Sequence, residues 1–362
     1  MSGNEKPAPQ KPEPTIARYK PYYYKPVPGK TYYWCACGRS KSQPFCDGSH
    51  QGTGFEPVKY VASEADHELL FCGCKHSRSQ PICDGTHNNL RDTYEEDDPD
   101  SEDNRHKAYV AHHRAGRFEL NGACYVARLA NLPANTVGNV VWNPVATAAT
   151  GAKHQSMFYL RVGPGATPAI SAGDAETVLF VNQGSGTIEI SGHDFELRPN
   201  TGIYIRQGET FRIRNETETT ITVYFSACPQ IDAPRFDRPM LDNFDASQPQ
   251  RIVALDPAKE QRMADRSFQL LVDKSVGSHL VTQFIGSIPY SKAAPHRHLY
   301  EEALLILNGQ GMIWTEDMKT RVAPGDVVFL PSKQVHSLQC TDPNGMRIVG
   351  VIYPGGNPDI NF

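Results

Sequence analysis

The sequence predicts a mainly β protein in which a small metal-binding lobe precedes two jelly-roll or small β-barrels. Three observations support this fold class. A cysteine–histidine motif occurs twice near the N-terminus at fixed spacing. From about residue 118 the chain alternates short apolar strands with Gly, Pro and Asn turns, and no segment shows the period of a long amphipathic helix. The same texture returns after a break near residues 229–256, so two all-β units of similar size follow the lobe.

The composition is typical of a globular protein of two or three domains. The chain has 362 residues, a formal charge of −4 and 39% hydrophobic residues. No apolar run approaches a membrane span and the N-terminus has no apolar signal region, so we expect no membrane partner and a cytoplasmic location. Acidic residues outnumber dispersed basic ones, 40 against 36, so no nucleic-acid partner is expected. Six of the nine cysteines lie in the doubled motif, which favours a reducing compartment.

Each copy of the doubled motif reads C-x-C-x8-C-x3-H, and the second copy follows the first by 37 residues throughout. Three thiols and one imidazole at fixed spacing are typical of a metal centre rather than of a folding motif. The candidate ligands are Cys35, Cys37, Cys46 and His50 in the first copy, and Cys72, Cys74, Cys83 and His87 in the second.

Two kinds of centre fit these donors. Three cysteines and one histidine form a legitimate structural zinc set, although zinc sites usually begin with a longer C-x(2–4)-C pair. A C-x-C pair instead lets two thiolates bind one iron of a binuclear cluster and leaves the later cysteine and histidine for the other iron. The Asp-Gly pairs after Cys46 and Cys83 suit the start of a short helix, whose positive N-terminal end would face an anionic cluster.

Both copies resemble the CDGSH iron–sulfur family through Cys46-Asp-Gly-Ser-His50 and Cys83-Asp-Gly-Thr-His87. The resemblance covers residues 19–90 and is to the single-chain members with two motifs. It implies one [2Fe–2S] cluster per motif, held by the eight candidate ligands. A histidine ligand removes negative charge from a cluster, which raises its reduction potential and gives it an acid-sensitive donor. The resemblance leaves electron carriage and cluster donation open, with an electron donor or a cluster acceptor protein as partner.

The rest of the chain divides by composition. Residues 1–18, rich in Pro, Lys and Glu, are expected to be disordered. The acid-rich residues 91–106 are expected to form an extended linker. The two predicted barrels occupy residues 107–240 and 241–362. The cysteines outside the motifs are expected to be buried thiols, and they are Cys124, Cys228 and Cys340.

The second barrel carries a different metal motif. His296, His298 and Glu302 share parity, so a strand directs all three to one face, and the apolar Leu304 and Ile306 continue this inward row. A partner strand would bring His336 to complete a set of three histidines and one carboxylate. An octahedral divalent ion bound by these four donors keeps two positions for water, dioxygen or a bidentate substrate.

This region resembles the cupin superfamily at both of its motifs. The first motif lacks only its leading glycine, and the second has lysine where glycine is common. The matching residues are His296, His298, Glu302 and Gly309 in the first motif, and Gly325, Pro331 and His336 in the second, where Lys333 is the departure. The resemblance implies a double-stranded β-helix barrel that holds one mononuclear metal. Iron is favoured, and manganese, nickel and zinc fit the same donors.

The first barrel lacks these donors. When the glycines and prolines that end equivalent strands are aligned, no strong ligand stands at the four positions, which are Ser171, Gly173, Thr177 and Phe211. We therefore expect a metal-free first barrel that pairs with the second. This layout, with metal only in the C-terminal half of a bicupin, is similar to that of the ureidoglycine aminohydrolases. A homodimer through the barrels is left open.

The sequence leaves three functions open. In the first interpretation the protein is a redox enzyme whose clusters pass electrons to a cupin iron acting on a small polar substrate, as in oxygenases. Alternatively, the cupin metal is a Lewis acid in a hydrolase or isomerase with structural or regulatory clusters. In the third interpretation the protein is a non-enzymatic sensor of redox state, pH or iron. No catalytic acid or base is assigned. Tyr300 and Trp314 are candidate pocket residues, and Arg297 has the parity of an outward-facing one.

Overall fold

The computed structural model describes residues 12–362, so the first part of the predicted disordered tail lies outside the described residues. The chain forms two compact units, one of residues up to Asp92 together with Asp359–Phe362 and the other of Thr93–Pro358. The predicted mainly β fold class is confirmed. In residues 12–362 the helices are one short α-helix and six short 3-10 helices, namely Glu102–His106, and Thr86–Leu90, Asn121–Ala123, Leu129–Asn131, Ala148–Thr150, Pro257–Lys259 and Lys274–Val276. None of these helices is long and apolar enough to cross a membrane.

The first unit is a lobe with an internal repeat. Its strands form two antiparallel pairs, Tyr22–Tyr24 with Leu69–Phe71 and Thr31–Trp34 with Val58–Val61. Trp34 and Phe71, which are equivalent residues of the two motifs, are fully buried at its centre. Each of them forms a single β-bridge to the residue before the third cysteine of its motif. A core this small stabilises a fold weakly, so bound metal centres are expected to supply much of the lobe's stability.

The end of the predicted N-terminal tail packs against the lobe. The amide of Thr15 donates to the carbonyl of Cys37 at 3.0 Å, and that of Arg18 to the carbonyl of Gly73 at 3.3 Å. A Cβ at Gly38 would lie 1.7 Å from the Thr15 oxygen, so only glycine permits this approach. Residues 12–18 therefore differ from the disorder expected of them, because their backbone groups find partners beside the cysteine loops.

The first barrel consists of two antiparallel sheets around an apolar interior. The larger sheet has seven strands, in the spatial order Ile252–Ala254, Thr201–Ile205, Glu176–Gln183, Ile221–Cys228, Ser156–Val162, Val140–Ala146 and Asn135–Val137. The smaller sheet has four strands, in the order Gly165–Ala166, Phe211–Asn215, Gly186–Ile190 and His193–Leu197. Apolar side chains fill the space between the sheets, among them Phe158, Phe211 and Phe225.

The second barrel repeats this architecture. Its larger sheet has eight strands, in the order Gln261–Met263, Arg266–Val272, Thr282–Ile288, Met346–Tyr353, Glu301–Asn308, Asp326–Leu330, Tyr125–Arg128 and Arg117–Glu119. Its smaller sheet has five strands, in the order Ser291–Lys292, Ser337–Cys340, Gly311–Trp314, Met318–Val322 and Ala108–Tyr109. Leu304 and Ile306 lie in its apolar interior, as their parity predicts.

The strands do not follow the predicted boundaries of the two barrels. Three strands before residue 129 extend the sheets of the second barrel rather than the first, and Ile252–Ala254 extends a sheet of the first. Pairing of Tyr125–Arg128 with Asp326–Leu330 is reinforced by Arg128, whose guanidinium donates twice to the Asp326 carboxylate at 3.1 Å. Strands from each predicted half of the chain thus pair with a sheet edge of the barrel in the other half. This pairing protects backbone groups that would otherwise be unpaired.

The acid-rich stretch is packed rather than extended. Its helix Glu102–His106 begins at Ser101, whose hydroxyl accepts a hydrogen bond from the Asn104 amide. Asp97 forms an ion pair with the buried ammonium of Lys292 in the second barrel. Composition alone indicated a linker because it does not reveal this buried cationic partner.

The larger sheets of the two barrels pack face to face. Val178 and Phe180 of the first barrel and Ala303 and Leu305 of the second belong to one buried apolar cluster. These side chains have the opposite parity to those inside each barrel, so both faces of the central strands are buried. This explains why the strands read as continuous apolar runs in the sequence.

Candidate metal centres

The donors of each cysteine motif form two close pairs. The Sγ atoms of Cys35 and Cys37 lie 3.7 Å apart, and Cys46 Sγ lies 3.1 Å from Nδ1 of His50. In the second motif the corresponding distances are 3.5 Å between the C-x-C sulfurs and 3.4 Å from the third cysteine to the histidine. Two thiolates bound about 2.3 Å from one tetrahedral metal stand roughly 3.8 Å apart. Each pair can therefore hold one metal.

The two pairs of a motif do not merge into one four-donor set. A single tetrahedral zinc ion would require all four donors within about 4 Å of one another. In the part of the chain that the structure describes, no three of the lobe's donors lie within 4.8 Å of each other, whereas three histidines elsewhere do. The arrangement fits a binuclear centre better than a mononuclear one, because each pair of donors can bind a separate iron.

The Asp-Gly steps shape the loops that carry the last two donors. Asp47 and Asp84 each accept backbone hydrogen bonds from both sides of their loop, at 2.8 to 3.1 Å. Hydrogen bonding with Ser49 holds the pKa of Asp47 below its usual range. A 3-10 helix over Thr86–Leu90 follows Gly85, so the predicted short helix is present after the second motif.

Lys75 is a buried cation between the motifs that the sequence reasoning missed. Its ammonium donates to Gln43 Oε1 at 2.7 Å and lies 4.6 Å from the centre of the Trp34 ring. Gln43 in turn lies 3.4 Å from the sulfur of Cys35, and the Lys75 amide lies 3.2 Å from that of Cys72. Lys75 thus lies between thiols of both motifs, with its amide beside Cys72 and its ammonium linked through Gln43 to Cys35. Burial lowers the pKa of Lys75 to about 8, while the nearby thiolates raise it. The available signal was that Lys75 stands where the first copy of the motif has Gly38.

In the second barrel, backbone pairing brings two of the predicted ligands together. The amide of His296 donates to the carbonyl of His336 and the reverse bond is equally short, both 3.0 Å. The ligand atoms of these two and of His298 all lie within 4.8 Å of one another. The sequence spacing placed His296 and His298 on one face, and the bridge to His336 closes the group.

Two carbonyl groups orient the imidazoles. Nδ1 of His296 donates to the carbonyl of Ala294 at 2.8 Å, and Nδ1 of His336 to that of Gln334 at 2.9 Å. A histidine whose Nδ1 donates to a carbonyl presents the lone pair of Nε2 to a metal. Burial lowers the pKa of His336 to about 4, so the ring is neutral at physiological pH and free to act as a ligand.

Glu302 lies at the edge of the histidine group. Its carboxylate is 3.5 Å from Nδ1 of His298, and both side chains are buried. Burial raises the pKa of Glu302 to about 8, because no cation in the described structure offsets its charge. A divalent ion among three neutral imidazoles would provide that charge, so the donor set fits the metal that the sequence predicts.

Lys333, which precedes His336 in the second barrel, replaces a glycine that is common at this position, and the structure explains why lysine is accepted. Lys333 stands in the left-handed region with φ of 66°, a conformation that glycine adopts at less cost. Its amide donates to the carbonyl of His298 at 2.8 Å. The turn that delivers His336 is therefore preserved although the residue type has changed.

The candidate pocket residues have different positions. Tyr300 is buried and stacks on His298, with ring centres 4.3 Å apart. Trp314 lies on the other face of its strand from the interior residue Ile313, and its indole donates to Gln339. The prediction that Trp314 faces the pocket is therefore wrong, whereas Arg297 is exposed as its parity predicts. Tyr94, which no sequence pattern indicated, lies 6.3 Å from His296 between ring centres.

The first barrel has no comparable donor group among the described residues. Phe211, at the position equivalent to His336, packs 6.0 Å from Phe225 in the apolar interior. Ser171 is engaged with the amide of Gly173 at 2.9 Å, and Thr177 is buried in its strand. An aromatic side chain thus stands at the sequence position where the second barrel has an imidazole.

Comparisons with known sequences identify both regions. The family described as "Iron-binding zinc finger CDGSH type" matches residues 10–51, and the "Cupin domain" family matches residues 288–352. The chain is 56% identical over 54 residues to mouse CDGSH iron-sulfur domain-containing protein 3, mitochondrial, and 57% identical over 51 residues to the human protein. These matches cover 14% of this chain and only 39% and 40% of those proteins.

Solved structures support the fold of the second unit. Protein Ylba from E. coli has a TM-score of 0.51 and 15% identity, with 67% of this chain and 95% of that chain covered. A Bacillus subtilis oxalate decarboxylase mutant has a TM-score of 0.52 and 10% identity over 64% and 78%. Procruciferin, an 11S globulin from Brassica napus, has a TM-score of 0.52 and 10% identity over 61% and 82%. A decarboxylase and a globulin share this fold, so fold alone does not select a reaction.

The two resemblances predicted from the sequence are confirmed. The chain combines an N-terminal CDGSH-type iron–sulfur domain with a C-terminal cupin domain, which makes it a metalloprotein. More particularly, two CDGSH motifs precede a pair of barrels of which the second carries the histidine group.

Proposed function

We propose that the protein is an iron–sulfur metalloenzyme acting on a small polar molecule. Two [2Fe–2S] clusters, one per CDGSH motif, pass electrons to a mononuclear metal held by His296, His298, His336 and Glu302, with iron favoured. The observation that supports this best is the convergence of three imidazoles, of which those of His298 and His336 are buried. Backbone carbonyls orient the rings of His296 and His336. A group this preorganised binds an ion without paying for rearrangement, and the equivalent positions of the first barrel hold no such group.

The redox form of the proposal accounts for both kinds of centre. A bound iron would supply one-electron chemistry at its open positions. In an oxygenase, dioxygen is the oxidant: one oxygen atom enters the substrate and the other leaves as water, with two electrons and two protons consumed. An external electron donor protein supplies those electrons through the clusters. The protein's own residues bind the ion and, through Tyr300 stacked on His298, form one apolar wall beside it.

A non-redox hydrolase or isomerase is the second candidate. Three histidines and a carboxylate equally suit a Lewis-acid ion such as zinc, manganese or nickel. The clusters would then be structural or regulatory. This candidate is supported by the donor set itself, which carries no feature specific to electron transfer.

Metal and sulfide analysis of native protein, combined with EPR before and after reduction, tests the assignment. We expect four cluster irons, four acid-labile sulfides and one further metal per chain. If anaerobic stopped-flow shows reduced clusters reoxidising in step with turnover, the redox form is supported. Clusters that stay reduced during turnover, or a cluster-free variant that retains turnover, would support the hydrolase or isomerase instead.

The cellular location is also a proposal. A cytoplasmic setting agrees with the reduced cysteines that the clusters need. The mouse and human proteins similar to the lobe carry the word mitochondrial in their names. Fractionation of the source cells, with detection of the intact chain, distinguishes the two compartments.

A further inference from the structure

The two CDGSH motifs differ in how their last two donors meet solvent. In the second motif Cys83 and His87 are both buried, with His87 only 3% exposed as a whole residue. In the first motif Cys46 is half-buried and the side chain of His50 is 20% exposed. The motifs are otherwise equivalent in sequence and in donor pairing, so the difference comes from what packs on them.

The cover on the second motif is the C-terminal segment Asp359–Phe362, which belongs to the lobe. The side-chain amide of Asn88 donates to the Asp359 carbonyl at 2.8 Å and also to its carboxylate. Asn361 interacts with the imidazole of His87. The ring of Phe362 stacks on Tyr23, with centres 5.4 Å apart and planes 4° from parallel. Contacts of Asp359, Asn361 and Phe362 thus hold the segment over the histidine ligand.

Within residues 12–362, nothing comparable covers the equivalent positions of the first motif. A Cβ at Gly85 would lie 2.9 Å from the Asp359 carboxylate, whereas one at the equivalent Gly48 would have no described atom within 4 Å. Gln51, which corresponds to Asn88, is exposed. The Nε2 atom of His50 lies 3.6 Å from the highly exposed carboxylate of Glu56, a contact open to water.

We propose that the C-terminal segment retains the second cluster, and that the first cluster is the one exchanged with an acceptor that presents free thiolates. This inference rests on the cluster assignment made under the proposed function, but not on redox turnover. The donors that must be replaced first, Cys46 and His50, are reachable from solvent. At the second motif, the segment must open before a thiolate can reach the cluster.

The exchange is a ligand substitution without electron transfer. Acceptor thiolates form bonds to the irons as the iron bonds to Cys46 and His50 break, and then those to Cys35 and Cys37. The released cysteine thiolates take up protons that the acceptor thiols have lost, and His50 leaves as a neutral or protonated imidazole. The two bridging sulfides and both irons move together, with their oxidation states unchanged.

Single-cluster variants of the full chain allow the transfer rate of each cluster to be measured separately. Cys83→Ser leaves only the first cluster and Cys46→Ser only the second. Transfer to an apo-ferredoxin, followed by its absorbance and circular dichroism, should be at least about tenfold faster from the Cys83→Ser protein. Equal rates, or a faster second cluster, would overturn the inference. Failure of both variants to show any cluster spectrum would instead count against the cluster assignment itself.

Variants that remove or weaken the C-terminal cover, made in the Cys46→Ser background, test whether the cover slows transfer of the second cluster. A chain ending at Pro358, and separately Asn88→Ala, should raise the transfer rate of the second cluster toward that of the first. Gln51→Ala, the matched change in the other motif, should leave the first cluster's rate unchanged in the Cys83→Ser background. Hydrogen exchange of residues 84–90 in the loaded protein gives a second readout and should accelerate only with loss of the cover. Unchanged transfer and exchange in both cover variants would refute the retaining role.

Discussion

Glu301 and Glu176 stand at equivalent positions of the two barrels, and each carboxylate accepts hydrogen bonds from a loop of the opposite barrel. Glu301 accepts from the amides of Lys153, His154 and Gln155 at 2.8 to 3.3 Å. Glu176 accepts from the Ser278 hydroxyl and from the two following amides at 3.0 to 3.2 Å. These two glutamates therefore link the two barrels through equivalent hydrogen bonds in a pseudo-twofold arrangement. Of these two glutamates, only Glu301 precedes a candidate metal ligand, since Glu302 follows it directly.

This arrangement leads to a prediction about metal affinity. Glu301→Gln presents an amide N–H₂ to backbone donors, so the free energy of unfolding should fall by about 1–3 kcal/mol. Glu176→Gln should cost a similar amount. Because Glu301 fixes the strand that carries Glu302, only Glu301→Gln should also weaken metal binding, by roughly 10–100-fold. Denaturant unfolding and metal titration measure the two effects, and equal metal affinities in the two variants would contradict the positioning role.

The histidine group predicts the effect of ligand removal. His298→Ala or His336→Ala should abolish the mononuclear metal while leaving cluster iron and sulfide unchanged, because the lobe has its own donors. Arg297→Ala is the matched control, since this exposed residue lies between two ligands of the same motif. Elemental analysis after removal of loosely bound metal gives the stoichiometry. Retention of the metal in His336→Ala would show that the bridge between His296 and His336 is structural only.

Glu302 has a separate prediction because it lies at the edge of the histidine group. Glu302→Gln removes a negative charge but keeps the side chain's size, so metal affinity should fall by about 10–100-fold rather than vanish. The apo protein should become no less stable, since burial of the carboxylate is unfavourable without a cation. Thermal unfolding of apo and metal-loaded protein checks both statements. A variant that is less stable in both forms would indicate a different role for this carboxylate.

The position of Lys75 near thiols of both motifs predicts that replacing it changes the reduction potentials of both clusters together. A reduced cluster carries one more negative charge, which the buried ammonium stabilises through its position among Cys35, Cys72 and Cys74. Lys75→Met should lower both potentials, on the order of 100 mV for a unit charge at close range in a partly buried site. Lys41→Met, at an exposed position of the first motif, should change neither by a comparable amount. Potentiometric titration followed by EPR gives both values, and a shift of one potential alone would refute the shared role.

The cysteine assignment predicts which thiols affect the cluster content. Cys46→Ser and Cys83→Ser should each remove one cluster, and so half of the visible absorbance and half of the acid-labile sulfide. Cys124, Cys228 and Cys340 are buried away from the motifs, and burial raises the pKa of each of these thiols. Serine at these three positions should destabilise the barrels without changing cluster content. Loss of sulfide in any of those three variants would show that the motif does not account for the ligands.

The sequence by itself determined the metal-binding motifs, because donor spacing along a strand or loop is a local property. The 37-residue repeat and the parity of His296, His298 and Glu302 were readable without a fold, and so were the strands with alternating or continuous apolar residues. Tertiary structure alone decided which distant backbone partners meet. It placed His336 against His296, strands before residue 129 in the second barrel, Lys75 among thiols of both motifs, and Asp359–Phe362 over His87. Those contacts depend on burial and sheet pairing between residues far apart in the chain, for which a single sequence carries no spacing signal.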